Sequence, residues 1–217
     1  MERITALLTA PATPSAPALT LRPWEAADAP ALLGLRGDEA LRRWTNFAVE
    51  DEDGAASWVR EQRRGWETGE RFAFAVAEAA ADGTDGDAPV GHVVLKRPAP
   101  GAPSAEVGYW TAARARGRAV APRALEALTD WAFAVFAADG LARLELVHQT
   151  DNTASCAVAR KCRYELTAVL PAEPPAFPRD GHVHVRTREA WVRGRTAPAG
   201  PSTPGGTPGD RRSVCAP

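Results

Sequence analysis

Between residues 105 and 138, a β-rich run, a polar turn that carries glycine and a long amphipathic segment follow one another directly. The run 105–110 predicts a strand, and the segment 123–138 predicts a helix. A strand that enters a helix through such a turn points successive backbone N–H groups and the positive end of the helix at one place. This order therefore predicts a site for an anion. The helix residues expected to face the core are Leu125, Leu128, Trp131, Ala132, Val135 and Phe136.

The turn at 114–119 contains the residue types that a phosphate-binding loop requires. Gly117 lets the main chain approach a ligand without a Cβ in the way, and Ala119 is the next smallest choice. Pro122 suits the first helical turn, where a missing N–H loses no partner. A glycine turn alone is a weak signal, because most such turns bind nothing. Positive charge around the turn comes from Arg114, Arg116 and Arg118.

The rest of the chain alternates strand and helix patterns, which predicts a mixed α/β domain of the α+β class. The acidic residues 50–53 mark a helix start, because negative charge stabilises a helix N-terminus. The runs 72–76 and 90–96 predict a hairpin with a long tip. Predicted strands lie at 19–24, 72–76, 90–96, 105–110, 142–147, 164–170 and 182–188. Predicted helices lie at 26–35, 55–66, 123–138 and 152–161.

Composition predicts one domain with loose ends. The chain has 217 residues, 45% of them hydrophobic, which is enough for one buried core. Residues 1–17 are rich in Pro, Ala, Ser and Thr, and residues 195–217 repeat that character with added Gly. Such segments cannot bury enough apolar area to order themselves, so we expect disordered tails on either side of a domain at 18–194.

Charge and cysteine content limit the possible partners. The formal net charge of -1 favours neither nucleic acid nor an anionic membrane surface. The short apolar stretch at 4–10 lacks the core of a signal peptide, and no apolar run is long enough to span a bilayer. Three cysteines, two of them in or next to one predicted helix, predict no disulfide framework. We expect a cytoplasmic protein, monomer or homodimer, that acts on a small molecule or a peptide.

Two blocks of the sequence resemble one family. The spacing Arg-x-x-Gly-x-Ala at 114–119 is similar to the Gln/Arg-x-x-Gly-x-Gly/Ala pattern of the GNAT superfamily of N-acetyltransferases. The strand 106–110, Glu-Val-Gly-Tyr-Trp, looks like that of the RimJ/RimL-like branch, which acetylates ribosomal-protein N-termini, and Asn-x-x-Ser at 152–155 resembles a second family block. The resemblance covers about residues 18–190. It implies the GNAT-type acyl-CoA N-acyltransferase fold, a central and mostly antiparallel sheet that is splayed at the fourth strand and flanked by helices.

The resemblance implies acetyl-CoA as the acyl donor and no metal. In the family, the strand before the turn splays from its neighbour, and the pantetheine arm pairs with the exposed edge as an added strand would. The pyrophosphate then lies on the N–H groups of residues 116–121. The residues that the resemblance assigns to acetyl-CoA are Trp110, Thr111, Arg114, Arg116, Gly117, Arg118, Ala119, Val120, Ala121 and Asn152.

The resemblance also implies direct attack of a neutral primary amine on the thioester, which needs a base for the amine and an acid for the leaving thiolate. Glu106 is the expected base, acting through a water, provided that burial makes its carboxylate basic enough. Ser155 is the expected acid. Many relatives use a tyrosine further along this helix, but the matching position here is Ala159. Tyr164 is the substitute, with core packing as its alternative role.

The acceptor stays open between a peptide N-terminus and a small amine such as an antibiotic or a biosynthetic intermediate. Trp44, Asn46 and Phe47 lie where the family builds part of its acceptor site, although a packed helix corner would have the same composition. A module that binds acyl-CoA without turnover is the alternative to an enzyme, because the usual tyrosine is missing. A nucleotide site of a doubly wound fold would need the glycine turn after a strand near the N-terminus, which this order does not supply.

Three further features carry other predictions. His182 and His184 share a strand face, but no third metal ligand follows at a suitable spacing, so we expect polar strand residues. Cys156 and Cys162 have no histidine nearby in sequence and are expected to be small core thiols. Arg163 stands where the family has glycine, at the left-handed end of a helix, which predicts about 1 kcal/mol of strain or a different turn.

Overall fold

Within residues 6–79, 88–97, 99–175 and 177–196, which are those that the computed structural model describes, eight strands form one sheet in the order β1-β2-β3-β4-β5-β6-β8-β7. The strands are β1 (Leu8–Ala10), β2 (Leu19–Pro23), β3 (Arg71–Glu78), β4 (Gly91–Lys96), β5 (Ser104–Thr111), β6 (Arg143–Gln149), β7 (Glu165–Leu170) and β8 (Gly181–Thr187). The helices are α1 (Ala29–Leu33), α2 (Glu39–Trp44), α3 (Glu52–Thr68), α4 (Val120–Val135), α5 (Thr153–Lys161) and α6 (Arg188–Thr196).

The sheet is antiparallel except for one pair of strands, β5 and β6. These two pair in parallel only as far as Val107 and Leu146. Beyond that rung, β5 continues to pair with β4 as far as Thr111, and β6 continues with β8 as far as Gln149. The strands therefore diverge, and the predicted splayed, mostly antiparallel α+β sheet is confirmed. The splayed strand is the fifth in chain order because β1 precedes those that the sequence predicts.

The strand β1 corrects the prediction that residues 1–17 are disordered, which is wrong for Leu8–Ala10. Ala6 and Ala10 are 7% and 4% exposed and pack into the core. These two small apolar side chains give the segment a buried face that its composition does not predict. The guanidinium of Arg123 also donates to the carbonyl oxygens of Pro11 at 2.6 Å and Pro17 at 2.7 Å. The predicted hairpin of β3 and β4 is confirmed, while its tip at 80–87 and the tail beyond Thr196 lie outside the described residues.

The two faces of the sheet are covered by different helices. One core lies under α4 and α5, where Leu125, Leu128 and Phe133 are fully buried against the sheet. The other lies under α1 to α3 and contains the buried ring of Trp24. The predicted core face of α4 is confirmed except at Val135, which is 40% exposed because it lies in the last turn and points away from the sheet. None of the described helices is long and apolar enough to cross a membrane.

Local signals at helix ends follow the expected chemistry. Asp51 begins α3, and its carboxylate accepts the Gly54 N–H at 2.7 Å, which confirms the acidic helix start. Helix α5 ends with Arg163 at φ 56°, and the Tyr164 N–H donates back to the Ala159 carbonyl at 2.9 Å. This closure is a Schellman motif with arginine in the left-handed position, so the turn is the one that glycine would make.

Candidate acyl-donor and acceptor site

The divergence of β5 and β6 opens a cleft between two strand edges. Within the described part of the chain, residues 108–111 of β5 and 147–149 of β6 have no strand partner on the sides that face each other. Alternate residues of a strand direct their N–H and C=O groups to opposite sides, so each edge presents main-chain donors and acceptors to the cleft. An extended ligand arm can satisfy these groups in the way that an added strand does.

The turn after β5 presents its main chain at the mouth of this cleft. Gly117 has φ 81° and Ala119 has φ 56°, so two left-handed residues alternate with right-handed or extended neighbours. A Cβ on Gly117 would meet nothing within 4 Å, which shows that glycine is needed there for its torsion and that the space beside it is open. Ala119 begins α4 and has no side chain that could cap it, so the first N–H groups of α4 lack the usual N-cap acceptor among the residues that the structure describes.

The turn has fewer available backbone N–H groups than the sequence predicts. The Arg116 N–H already donates to the Ala113 carbonyl at 3.3 Å. Among the described residues, no hydrogen bond uses the N–H groups of residues 117–121. Consecutive N–H groups of this kind at a helix N-terminus can receive an anion. They belong here to Gly117, Arg118, Ala119, Val120 and Ala121.

The three arginines of the turn are directed at protein partners. Arg114 donates to the Pro89 carbonyl at 2.6 Å, which ties the turn to the end of the β3–β4 loop. Arg118 lies 3.0 Å from a carboxylate oxygen of Glu78. These contacts brace the turn and engage the guanidinium groups of Arg114 and Arg118 with protein partners.

Arg116 forms the strongest of these contacts, with Asp38. Its guanidinium donates to both carboxylate oxygens, at 2.6 and 2.5 Å. Asp38 also begins α2 and accepts the N–H groups of Leu41 and Ala113. Burial opposes ionisation of this carboxyl, but the hydrogen bonds from Arg116 and the two N–H groups outweigh it and hold the pKa of Asp38 below its usual range. The pair fastens α2 to the turn.

The predicted contacts of Trp110 and Thr111 belong to the main chain of β5. The Trp110 ring is 7% exposed and stacks on His92 within the core under α1 to α3, so it does not line the cleft. The Thr111 hydroxyl is buried and has no hydrogen-bond partner among the described residues, while its carbonyl accepts from Arg116.

Glu106 lies one residue before the last paired rung of β5 and β6. Its carboxylate accepts from the Lys96 ammonium at 2.6 Å, and the side chain is 45% exposed. The burial on which the predicted base depends is therefore absent. Glu145 occupies the opposite position on β6, so two carboxylates flank the start of the cleft.

Ser155 and Asn152 stand on the other side of the cleft, at the start of α5. The Asn152 side chain accepts the Ser155 N–H at 3.2 Å and so caps α5, which leaves its amide N–H₂ group as a donor. The Ser155 hydroxyl accepts from the hydroxyl of Tyr109 at 3.0 Å. Burial raises the pKa of Tyr109 to about 12, so this hydroxyl keeps its proton at neutral pH. The sequence does not indicate a role for Tyr109, because its contact with Ser155 depends on how β5 and α5 pack together.

The position of Tyr164 favours its packing role. Its ring is 1% exposed, and its hydroxyl lies 2.7 Å from that of Thr129. Burial raises the pKa of Tyr164 well above its usual range. Ala159 is fully buried beside it, so neither position offers a proton to the cleft.

The predicted acceptor residues lie at the corner between α2 and α3. Phe47 is 7% exposed, and its ring centroid lies 5.9 Å from that of Trp110, so it packs in the core. Asn46 is exposed and Trp44 is half-buried. Arg43 donates to Asp151 at 3.1 Å, next to Asn152. This contact joins the corner to the loop that precedes α5.

The fold adds neighbours to the histidines that their sequence spacing does not reveal. His182 and His184 have no third ligand at a suitable spacing in sequence, but the structure brings His148 and Cys156 to them, with the four ligand atoms within 4.8 Å of one another. Cys156 has no histidine nearby in sequence, yet its Sγ lies 3.3 Å from His182 Nδ1 in the fold. Cys156 and Cys162 are both buried in the core, as expected.

Both the sequence and the fold of the chain are similar to those of known acetyltransferases. The sequence profile of the acetyltransferase (GNAT) domain matches residues 18–165. No curated protein sequence matches the chain significantly. A candidate ribosomal-protein-serine acetyltransferase from Vibrio cholerae is 25% identical, with a TM-score of 0.62 over 81% of this chain and 95% of that one.

Two further solved structures share the fold at lower identity. Mycobacterium smegmatis RimJ, in complex with CoA-disulfide, is 24% identical, with a TM-score of 0.68 over 85% of this chain and 87% of that one. The microcin C7 self-immunity acetyltransferase MccE, in complex with acetyl-CoA and AMP, is 16% identical, with a TM-score of 0.65 over 81% of this chain and 97% of that one.

Proposed function

The chain belongs to the GNAT acetyltransferase family and is an acetyl-CoA-dependent acyltransferase, and from this premise we propose that it acetylates a primary amine by direct attack within a ternary complex. One observation carries the proposal: the cleft between β5 and β6 ends at a turn whose consecutive N–H groups have no acceptor among the described residues. An acyl-CoA has an amide-bearing arm and a pyrophosphate, which are the two groups that these surfaces complement.

Different residues around the cleft bind different parts of the acyl donor. The edge of β5 from Gly108 to Thr111 offers the main-chain groups that pair with an amide-bearing arm. The N–H groups of residues 117–121 receive the pyrophosphate, and Arg114 and Arg116 hold the turn that presents them. Asn152, with its side-chain oxygen already used in the cap, donates from its nitrogen toward the reacting end.

We assign the proton transfers to groups at the start of the cleft. The amine nitrogen bonds to the thioester carbonyl carbon, the C–S bond breaks, and the amine proton passes through a water to Glu106. Because the side chain of Glu106 is 45% exposed, water reaches its carboxylate directly. The Ser155 hydroxyl gives its proton to the departing thiolate and recovers one from Tyr109, which is hydrogen-bonded to it. Solvent then takes the proton from Glu106 and returns one to Tyr109.

Two classes of acceptor fit the open mouth of the cleft. The ribosomal-protein acetyltransferases among the structural neighbours favour a peptide N-terminus, and MccE, whose structure contains acetyl-CoA and AMP, favours a small amine. The half-buried ring of Trp44 and the exposed amide of Asn46 offer stacking and hydrogen bonding to either class. We propose a peptide N-terminus first, because several of the structural neighbours are ribosomal-protein acetyltransferases.

The experiment measures CoA thiol release from acetyl-CoA with a panel of peptides that begin with alanine or serine and of small amines that include aminoglycosides. Glu106→Gln is compared with Glu145→Gln, which changes the same residue type on the opposite strand of the same rung. We expect Glu106→Gln to lower kcat about 100-fold and Glu145→Gln to leave it within about twofold, since a general base contributes roughly 10² or more. Equal losses in the two variants would contradict the role of Glu106.

An acyl-CoA-binding module without chemistry is the second candidate. Two observations favour it: the position that often carries the acid is Ala159, and Glu106 is more exposed than a tuned base. Acetyl-CoA that raises the melting temperature while no amine in the panel is acetylated would support the module. Turnover of any amine that falls with Glu106→Gln would support the enzyme.

A further inference from the structure

Three of the four histidines in the chain gather beside Cys156 on one side of the sheet. His148 on β6 pairs directly with His182 on β8, and His184 lies two residues further along the same face. Cys156 comes from α5, which packs above these strands and places its sulfur 3.3 Å from His182 Nδ1. The ring centroids of the three histidines lie 5.2 to 5.9 Å apart.

The hydrogen bonds of two histidines leave one nitrogen of each ring unused. His148 Nδ1 lies 2.8 Å from the Gln149 carbonyl, and His184 Nδ1 lies 3.4 Å from the Tyr164 carbonyl. A carbonyl oxygen only accepts, so both Nδ1 atoms carry the proton and both Nε2 atoms keep a lone pair. Within the described part of the chain, these two Nε2 atoms are buried and have no hydrogen-bond partner.

This pattern is that of histidines prepared to bind a cation. A buried acceptor without a partner is unfavourable, and a metal ion bound to its lone pair removes that cost. A ligating histidine commonly donates its other N–H to a backbone carbonyl, which fixes the tautomer and the ring orientation.

The structure assigns to His148, Cys156, His182 and His184 a binding site for one transition-metal cation, zinc by its donor set. Three imidazole nitrogens and one thiolate suit a tetrahedral Zn²⁺ ion, whereas Ca²⁺ and Mg²⁺ need oxygen ligands. Tetrahedral zinc holds its ligand atoms about 3.3–3.6 Å apart, so the present spread of up to 4.8 Å closes through small side-chain rotations.

A nucleophilic thiol is the other use of a cysteine beside a histidine. Cys156 is 1% exposed on the buried side of α5, so no acyl group reaches its sulfur without displacement of the helix. A nucleophile also needs one histidine, and this cluster supplies three. Four protein ligands with no open position make the site structural, and the ion would join α5 to β6 and β8.

The test is a titration of untagged protein, first treated with a chelator, with Co²⁺ alone and then with Zn²⁺. We expect one Co²⁺ per chain, with the visible absorption of a tetrahedral ion and a thiolate-to-cobalt charge-transfer band, and displacement by Zn²⁺. Cys156→Ser should abolish the charge-transfer band, and His182→Gln should weaken binding roughly 100-fold or more.

Two matched controls use the residues that lie elsewhere. His92→Gln changes the remaining histidine, which is on the opposite face of the sheet, and Cys215→Ser changes a cysteine outside the described residues; both should bind as the wild type does. If the ligand variants do not fold, the wild-type titration decides alone. Absence of stoichiometric binding, Co²⁺ bound without a charge-transfer band, or equal losses in His92→Gln and His182→Gln would overturn the site.

Discussion

The hydroxyl of Tyr109 donates to the hydroxyl of Ser155 across the interface of β5 and α5, at 3.0 Å. Because burial raises the pKa of Tyr109 to about 12, the tyrosine is a proton donor at neutral pH and serves as a positioning residue for Ser155. We expect Ser155→Ala to lower kcat about 100-fold and Tyr109→Phe about tenfold, with KM little changed.

The double variant distinguishes this relay from mere packing. If Tyr109 acts through Ser155, the variant that carries both Tyr109→Phe and Ser155→Ala is no slower than Ser155→Ala alone. If the two residues act independently, the two losses in kcat multiply. Tyr164→Phe is the control, since it removes the other tyrosine hydroxyl, which contacts Thr129 in the core. It should lower the free energy of unfolding by about 1 kcal/mol and leave kcat unchanged.

Gly117→Ala should weaken acetyl-CoA binding through the backbone alone. A Cβ at φ 81° strains the turn by about 1 kcal/mol and tilts its N–H groups, so KM for acetyl-CoA should rise roughly tenfold. Gly140→Ala is matched, since Gly140 has φ 83° and equally open surroundings but lies after α4. Both variants should lose similar stability. A KM that rises equally in both would contradict the binding role of the turn.

Arg163→Gly should stabilise the protein. Arg163 occupies the left-handed position of the Schellman motif, with φ 56°. Glycine adopts this torsion without strain, so the free energy of unfolding should rise by about 0.5–1 kcal/mol in urea denaturation. Lys161→Gly, two residues earlier in the helix, should instead lower it by about 1 kcal/mol. A loss in both variants would show that the Arg163 side chain matters more than its torsion.

His92 should make the fold sensitive to acid. Its Nδ1 accepts from the Trp24 indole at 3.0 Å, and burial lowers the pKa of His92 to about 3. An unfolded histidine titrates near pH 6.5, so below about that pH the unfolded chain binds a proton that the folded chain excludes. Stability therefore falls as pH drops from about 6.5 toward 3, by up to about 1.4 kcal/mol per pH unit.

Urea unfolding of wild type and His92→Gln between about pH 7 and pH 5 measures this term. The variant keeps an acceptor for the Trp24 N–H but has no titrating ring, so its stability should decline less steeply by about 2 kcal/mol over that range. The contributions of the other histidines are common to both proteins. Parallel pH profiles would show that His92 takes up its proton without unfolding.

The sequence predicts the elements with strong periodicity and misses those with weak signals. The α4 pattern is clear because Leu125, Leu128 and Ala132 recur on one face, yet its start is predicted three residues late, since Pro122 looks like a first residue and stands third. The six-residue α2 is missed because Leu41 is its one buried residue, too few to reveal a period.

Side-chain convergence is the part that a sequence alone cannot provide. His148, Cys156 and His182 come from three elements, and only the pairing of β6 with β8 and the packing of α5 bring them together. Tyr109 and Ser155 are 46 residues apart and meet for the same reason. Burial likewise depends on the whole fold, so the exposure of Glu106 and the core position of Phe47 could not be read from their neighbours.

The two left-handed residues of the turn also decide what mutation there can do. Main-chain torsions at Gly117 and Ala119 create the donor array, while the neighbouring side chains mostly brace it. A saturation scan of 113–121 should therefore have an unusual profile, in which chemical class predicts tolerance poorly and access to positive φ predicts it well. Selection of the acyl donor would therefore depend on backbone conformation more than on side-chain identity, and many different sequences can adopt that conformation.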